Sequence, residues 1–209
     1  MTQDLNATRA MWDERYGAQP FAYGTEPNVY FAEKLSALPP GRLLLPAEGE
    51  ARNAAFALRQ GWTVDACDLS SEAQRKALVL CAGYEDALDY RVGDAMAMDY
   101  ADESVDALAF VYAHFPSAVR AELYPKLLRA VRPGGHVIVE VFGQRQLTYQ
   151  PHHASGGPRD PDQLFTADDL RQLFEGCDVL ELLEGEVQLR EGIYHQGQGW
   201  VCRFFGVRR

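Results

Sequence analysis

The chain has 209 residues, is 47% hydrophobic and carries a formal net charge of −10, which fits one large globular domain with a sizeable core. That acidity, with no Lys/Arg cluster, argues against a nucleic-acid partner, whose phosphates call for such clusters. No apolar run reaches the roughly 18 residues of a membrane span. The start MTQDLNATRA lacks a signal peptide's apolar region, and Cys67, Cys81, Cys177 and Cys202 form no C-x-x-C pair. They read as buried, reduced thiols of a cytoplasmic protein.

In chain order, DLNATRAMWDERYG reads as a helix, with Asn6 or Thr8 as caps and Met11, Trp12 and Tyr16 near one face. FAYGTEPN is a loop, and Pro27 opens a second helix through Val29, Phe31 and Leu35 that stops at Pro39-Pro40-Gly41. A strand over Leu43–Pro46, a helix over Ala51–Gln60 and a strand over Trp62–Cys67 follow. Ser70-Ser71 caps a helix running to Cys81, and Tyr90–Val92 is a short strand leading into Gly93-Asp94. Val105–Val111 is a strand, and Ala118–Val131 is an amphipathic helix closed by Arg132-Pro133-Gly134-Gly135. His136–Phe142 is an apolar strand apart from Glu140.

The turn-rich stretch GQRQLTYQPHHASGGPRDPDQ reads as a loop, and Thr166 caps a helix to Phe174. Val179–Leu189 and Trp200–Val207 form an antiparallel hairpin at the sheet edge. These elements predict an α/β fold of one domain, 1–209, with a doubly wound, mostly parallel seven-stranded sheet covered on both faces. Ligands of such sheets bind at the carboxyl ends of the strands, beside the switch in strand order. Pro46–Gly49, Asp68, Asp94 and Val111–His114, distant in sequence, should therefore line one crevice.

Within that pattern, residues 42–70 carry the most information. A strand, a turn at Gly49, a helix and a second strand ending at Asp68 build a nucleoside site. Asp68 follows Gly49 by 19 residues, and the ribose-binding acid of the dinucleotide fold lies about 20 residues beyond its glycines. The alternative for Asp68 is an ordinary helix cap beside Ser70, and for Asp94 ordinary Gly-Asp turn chemistry.

The segments LLLPAEGEARN, VDACDLS, YRVGDAMAMDY, SVDALAFVYAHFP and VRPGGHVIVEVF together resemble the class I S-adenosylmethionine-dependent methyltransferases over almost the whole chain. WDERYGAQPFAYGTEPN, EGEARNAAFA, GGPRDPDQLFT and EGIYHQGQGWVCRFFG look most like the tellurite-resistance and thiopurine methyltransferase-like branch. The resemblance implies S-adenosylmethionine as cofactor and a small-molecule methyl acceptor. In this reading Asp68 holds the ribose beside Ser70, Leu69 packs on the adenine, and Asp94 and Ala95 meet the adenine's polar edge. Pro46, Ala47, Glu48 and Gly49 run under the methionine part near Arg52 and Asn53, and Val111 and Tyr112 flank the sulfonium. The family's first-strand acid and Gly-x-Gly-x-Gly correspond here to Leu45, Ala47, Gly49 and Ala51. An alanine fits such a turn where φ stays negative, and it narrows the turn, while Glu48 is the nearest substitute for the missing partner of the methionine ammonium.

Other residues admit two readings each. His114 is either a general base or a packed aromatic edge, and Tyr112 is the other base candidate for an oxygen or amine acceptor. Residues 1–40, through Trp12, Tyr16, Phe21 and Tyr23, form either simple packing or a lid that excludes water from the sulfonium. His152, His153 and His195 lack zinc spacing and read as a solvated or substrate-facing set, with His195 able to reach the pocket from the hairpin. Leu45, Ala47 and Ala51 also motivate an alternative from another class, a non-catalytic cofactor-binding protein of the same fold. A nicotinamide oxidoreductase is disfavoured by the single motif glycine.

Overall fold

A computed structural model describes residues 4–18 and 20–209. Of the N-terminal stretch discussed above, residues 1–3 and 19 lie outside the described residues. Seven strands form one sheet in the order β3-β2-β1-β4-β5-β7-β6. They are β1 (Arg42–Pro46), β2 (Thr63–Asp68), β3 (Leu88–Val92), β4 (Val105–Val111), β5 (Val131–Phe142), β6 (Cys177–Glu191) and β7 (His195–Arg208). Strands β1 to β5 run parallel, and β7 pairs antiparallel with both β5 and β6. The helices are α1 (Leu5–Gly17), α2 (Val29–Ser36), α3 (Arg52–Arg59), α4 (Ser71–Leu80), α5 (Ser117–Ala130), α6 (Gln146–Tyr149) and α7 (Ala167–Leu173).

Strand alternation divides the core in two. Leu44, Leu108 and Phe110 face a cluster with Tyr124 of α5 and Phe174 beyond α7. Leu43, Leu45, Ala107 and Ala109 face Phe31 and Leu35 of α2 and the alanines of α3. Phe110 stacks on Tyr124 at 4.1 Å between ring centroids, while the alanines of β4 let α3 approach closely. The order switches beside β1, whose neighbours are β2 and β4, so their carboxyl ends open into a crevice.

Four local expectations are corrected. Asp4, not Asn6 or Thr8, caps α1 by accepting from the Asn6 and Ala7 amides. Asn28, one residue after Pro27, caps α2 by accepting from Phe31 N. Arg132-Pro133-Gly134-Gly135 lies within β5: Val131 pairs with Val105 and His136 with Ala107, so the four residues bulge opposite Asp106. The stretch expected as plain loop contains α6, while α7 carries the full Thr166–Asp169 capping box. Among the described residues no helix is long and apolar enough to cross a membrane.

Candidate functional site

The crevice at the strand ends encloses a cavity of about 960 Å³, near the upper end of the range for small-molecule sites. Of the expected site residues, Trp12, Tyr16, Tyr23, Ala47, Glu48, Gly49, Arg52, Asn53, Asp68, Leu69, Asp94, Ala95, Val111, Tyr112 and His114 line it. Pro46 and Ser70 do not. Pro46 is the last paired residue of β1, opposite Cys67. Ser70 is fully buried, capping α4 by accepting from Ala73 N and donating to Asp13 Oδ1 at 2.5 Å.

The turn after β1 is built from three left-handed residues, Ala47 (φ 52°), Gly49 (φ 64°) and Ala51 (φ 67°). Neither alanine has the negative φ at which it would fit without strain. The turn keeps the alternating left-handed backbone of a glycine-rich loop with a methyl at two of its three positions, each at about 1–2 kcal/mol. The strain is offset by bonds on either side: Glu48 N donates to Cys67 O at 3.0 Å, and Tyr90 Oη donates to Gly49 O at 2.5 Å. Gly49 has no room for a side chain, since an added Cβ would sit 2.7 Å from the Tyr16 hydroxyl.

Ala51 gives α3 no side-chain cap, and Glu48 takes over. Its Oε1 accepts from Asn53 N and Ala54 N, both at 2.9 Å, and its Oε2 from Asn53 Nδ2 at 3.3 Å. Burial pushes this carboxyl up to about 7 against those bonds. Glu48 therefore neutralises the first turn of α3, and both its oxygens are already engaged there.

Asp68 stands at the end of β2, where its Oδ2 accepts from Gly49 N and its Oδ1 from Ser70 N, both at 3.0 Å. One carboxylate thus ties the turns after β1 and β2 together. Burial raises it to about 6, opposed by those backbone donors. Each oxygen retains acceptor capacity toward the cavity it lines. Asp94 holds the turn after β3 by accepting from Met96 N at 2.9 Å, and Gly93 N reaches back to Asp68 O. Leu69 and Ala95 complete this end.

Beyond β4 the chain turns at Tyr112, also left-handed at φ 52°. Its hydroxyl donates to Glu140 Oε1 at 2.7 Å, and its ring stacks on Phe142. Burial holds the phenol well above its usual range, so Tyr112 is a neutral wall residue. His114 has both nitrogens engaged, Nδ1 with Gln163 O at 2.8 Å and Nε2 accepting from Phe142 N at 3.2 Å. With its pKa pushed down to about 3 by burial, it has no free lone pair for a proton. The packed-edge alternative fits this geometry.

Above the turn lies α1, whose Met11, Trp12, Arg15 and Tyr16 face the cavity. Asp13 fastens it to α4 through Ser70 Oγ and Glu72 N, and Trp12 stacks on Tyr16 at 5.3 Å. The Arg15 guanidinium lies 4.9 Å from the Trp12 ring and 5.1 Å from that of Tyr194 on the hairpin. Below, a buried Lys76–Glu50 pair at 2.7 Å anchors the following segment, with Glu50 accepting from Ala22 N and Lys76 donating to Ala18 O. Phe21 packs beneath the Lys76 ammonium, 5.2 Å from its ring centroid.

Sequence reasoning missed a polar network below the Tyr112 end. Glu140 accepts from Asn28, Tyr112 and Arg203, while Glu191 accepts from Arg52, Asn28 and His195. The one available signal was EGIYH, a hairpin turn whose first and last residues pair across the strands. His195 joins the cavity wall, whereas His152 and His153 lie outside it.

A family model described as a methyltransferase domain matches residues 46–135. Among curated proteins, none matches the sequence. Several solved structures share the fold. One, from work on conversion of a disulfide bond into a thioacetal group during echinomycin biosynthesis, is 19% identical with a TM-score of 0.75, over 96% of this chain and 92% of that one. An S-adenosylmethionine-dependent methyltransferase from Methanosarcina mazei is 17% identical with a TM-score of 0.69, over 88% and 98%. TehB from Haemophilus influenzae is 11% identical with a TM-score of 0.67, over 96% and 67%. At these identities the likeness is one of fold. Residues 46–135 thus carry the pattern of a methyltransferase domain, within a chain whose fold is that of solved S-adenosylmethionine-dependent methyltransferases.

Proposed function

We propose that the protein binds S-adenosylmethionine in this cavity and transfers its methyl group to a small-molecule acceptor by in-line displacement. The observation that carries the reading is Asp68: a buried carboxylate at the end of β2, beside the switch in strand order, with acceptor capacity left toward a cavity of nucleoside size. Two ribose hydroxyls donate to it, Leu69 and Ala95 flank the adenine, and Asp94 accepts from the adenine amino group. The methionine part lies along Ala47–Gly49, and the sulfonium faces the rings of Tyr16, Tyr23 and Tyr112, whose π-faces favour a cation. Residues 4–18 act as a lid, since α1 closes one side of the cavity and excludes water from the transfer. Methyl transfer needs alignment of nucleophile, methyl and sulfur above all. The resemblance to the tellurite-resistance and thiopurine methyltransferase-like branch belongs to this proposal, and the fold shared with TehB accords with it.

Calorimetric titration with S-adenosylhomocysteine tests the reading. Asp68→Ala removes two charge-assisted hydrogen bonds, each about 1.5–3 kcal/mol, so affinity should fall on the order of 100-fold or more. Only the ionised carboxylate accepts from both hydroxyls, and this one titrates at about 6. Wild-type affinity should therefore be constant above neutrality and decline as pH falls through 6. An affinity indifferent to both changes contradicts the assignment.

A further inference from the structure

Glu191 and His195 face each other across the closing turn of the β6–β7 hairpin, and His195 Nδ1 lies 3.3 Å from Glu191 Oε2. An ionised carboxylate only accepts, so Nδ1 carries the proton and Nε2 is left with its lone pair. Nε2 has no hydrogen-bond partner among the described residues, whereas both nitrogens of His114 are engaged. His195 is 4% exposed and forms part of the cavity wall, its ring wedged against Tyr23, Tyr112 and Phe142 at 4.6, 4.5 and 5.2 Å. Glu191 is itself held, by Arg52 Nη2 at 2.8 Å and Asn28 Nδ2 at 3.0 Å. Tautomer and ring orientation are therefore fixed by residues from α3, the α2 cap and the hairpin.

We propose that His195 is the general base of the transfer, oriented by Glu191, and that the acceptor is a weakly acidic hydroxyl on an apolar, ring-sized small molecule. The proposal rests on the methyl-transfer reading above. A thiolate would need no base, while a hydroxyl keeps its proton at neutral pH until one is supplied. Phe115, Pro116, Ala118 and Val119 add apolar lining to the cavity, and the rings of Tyr112 and Phe142 flank His195 itself. As the acceptor oxygen attacks the methyl carbon, the C–S bond breaks and its electron pair stays on sulfur, giving neutral S-adenosylhomocysteine. The hydroxyl proton passes to Nε2, the imidazolium is stabilised by Glu191, and the proton leaves to solvent once products depart.

The groups around the ring suit a base. Glu191 faces it from its own hairpin, Arg52 from α3, Glu140 from β5, Tyr112 and His114 from the end of β4, and Tyr23 from the segment before α2. Burial lowers the His195 pKa below the ordinary histidine value, against the raising effect of Glu191, so the ring is neutral at pH 7. Burial also pushes Glu191 up, but His195 and Arg52 outweigh it and bring it down to about 2.

Two measurements judge the pair. With methyl-labelled S-adenosylmethionine, phenol and thiophenol serve as matched acceptors at pH 8, where thiophenol is already a thiolate. His195→Gln should lower kcat for phenol on the order of 100-fold, while thiophenol turnover and S-adenosylhomocysteine affinity stay within about 3-fold. At saturating S-adenosylmethionine, where protonation of Asp68 no longer limits binding, the acid limb of the wild-type kcat profile for phenol should be lost in that variant. Equal losses with both acceptors, or wild-type turnover of thiophenol without phenol, overturn the proposal. In parallel, ¹⁵N spectra of the S-adenosylhomocysteine complex at pH 7 should show His195 protonated at Nδ1 and bare at Nε2, and a protonated Nε2 overturns it without any acceptor. Absence of S-adenosylhomocysteine binding would instead remove the methyl-transfer reading, which separates the two failures.

Discussion

Ala47 and Ala51 show what a residue type does and does not dictate. Both occupy left-handed backbone that glycine adopts freely, so the turn's shape is set by the bonds around it. Ala47→Gly should raise stability by about 0.5 kcal/mol, the strain relieved less the added freedom of the unfolded chain. Gly49→Ala should lower it by about 1–2 kcal/mol, because the new methyl meets the Tyr16 hydroxyl. Denaturant unfolding of the two variants checks both signs, and a matching loss in each would contradict this account of the turn. Asp68 was legible in the sequence because a strand end fixes where a carboxylate points. Glu48 was not, because its direction depends on the handedness of the alanines beside it. His195 was placed among three unassigned histidines, since its pairing with Glu191 exists only in the register of the hairpin.

Among elements, α1 and the segment after it are held over the strand ends by polar contacts rather than by a broad apolar face. Asp13 joins α1 to α4, and the Lys76–Glu50 pair, 3% exposed on each side chain, secures Ala18 and Ala22. Lys76→Met leaves the Glu50 carboxylate buried without its cation and should cost about 3–5 kcal/mol. Adding Glu50→Gln should restore a large part of that loss, as measured by denaturant unfolding of the single and double variants. A single-variant loss below about 1 kcal/mol would mean that the pair does not hold this segment. The existence of α1 was visible from its apolar spacing, but its cap and its docking were not. The Arg132–Gly135 run was misread because Pro and Gly that end a helix also make a bulge.

For the whole molecule, alternation of apolar strands with helical segments was enough to predict the sheet, its parallel part and the terminal hairpin. The crevice followed from topology alone, because a switch beside β1 brings the ends of β1, β2 and β4 together. The polar floor made by Asn28, Arg52, Glu140, Glu191 and Arg203 could not be read in the same way. It joins the α2 cap to α3, β5, β6 and β7 through side-chain directions that no local pattern encodes. This floor links the lid-side segment to the hairpin below the proposed transfer point. A crystal structure with S-adenosylhomocysteine tests that arrangement most directly. It should show both ribose hydroxyls on Asp68, the adenine between Leu69 and Ala95, and the sulfur directed at the Tyr112–His195 end of the cavity. A ligand seated elsewhere, or with its ribose away from Asp68, would contradict the account.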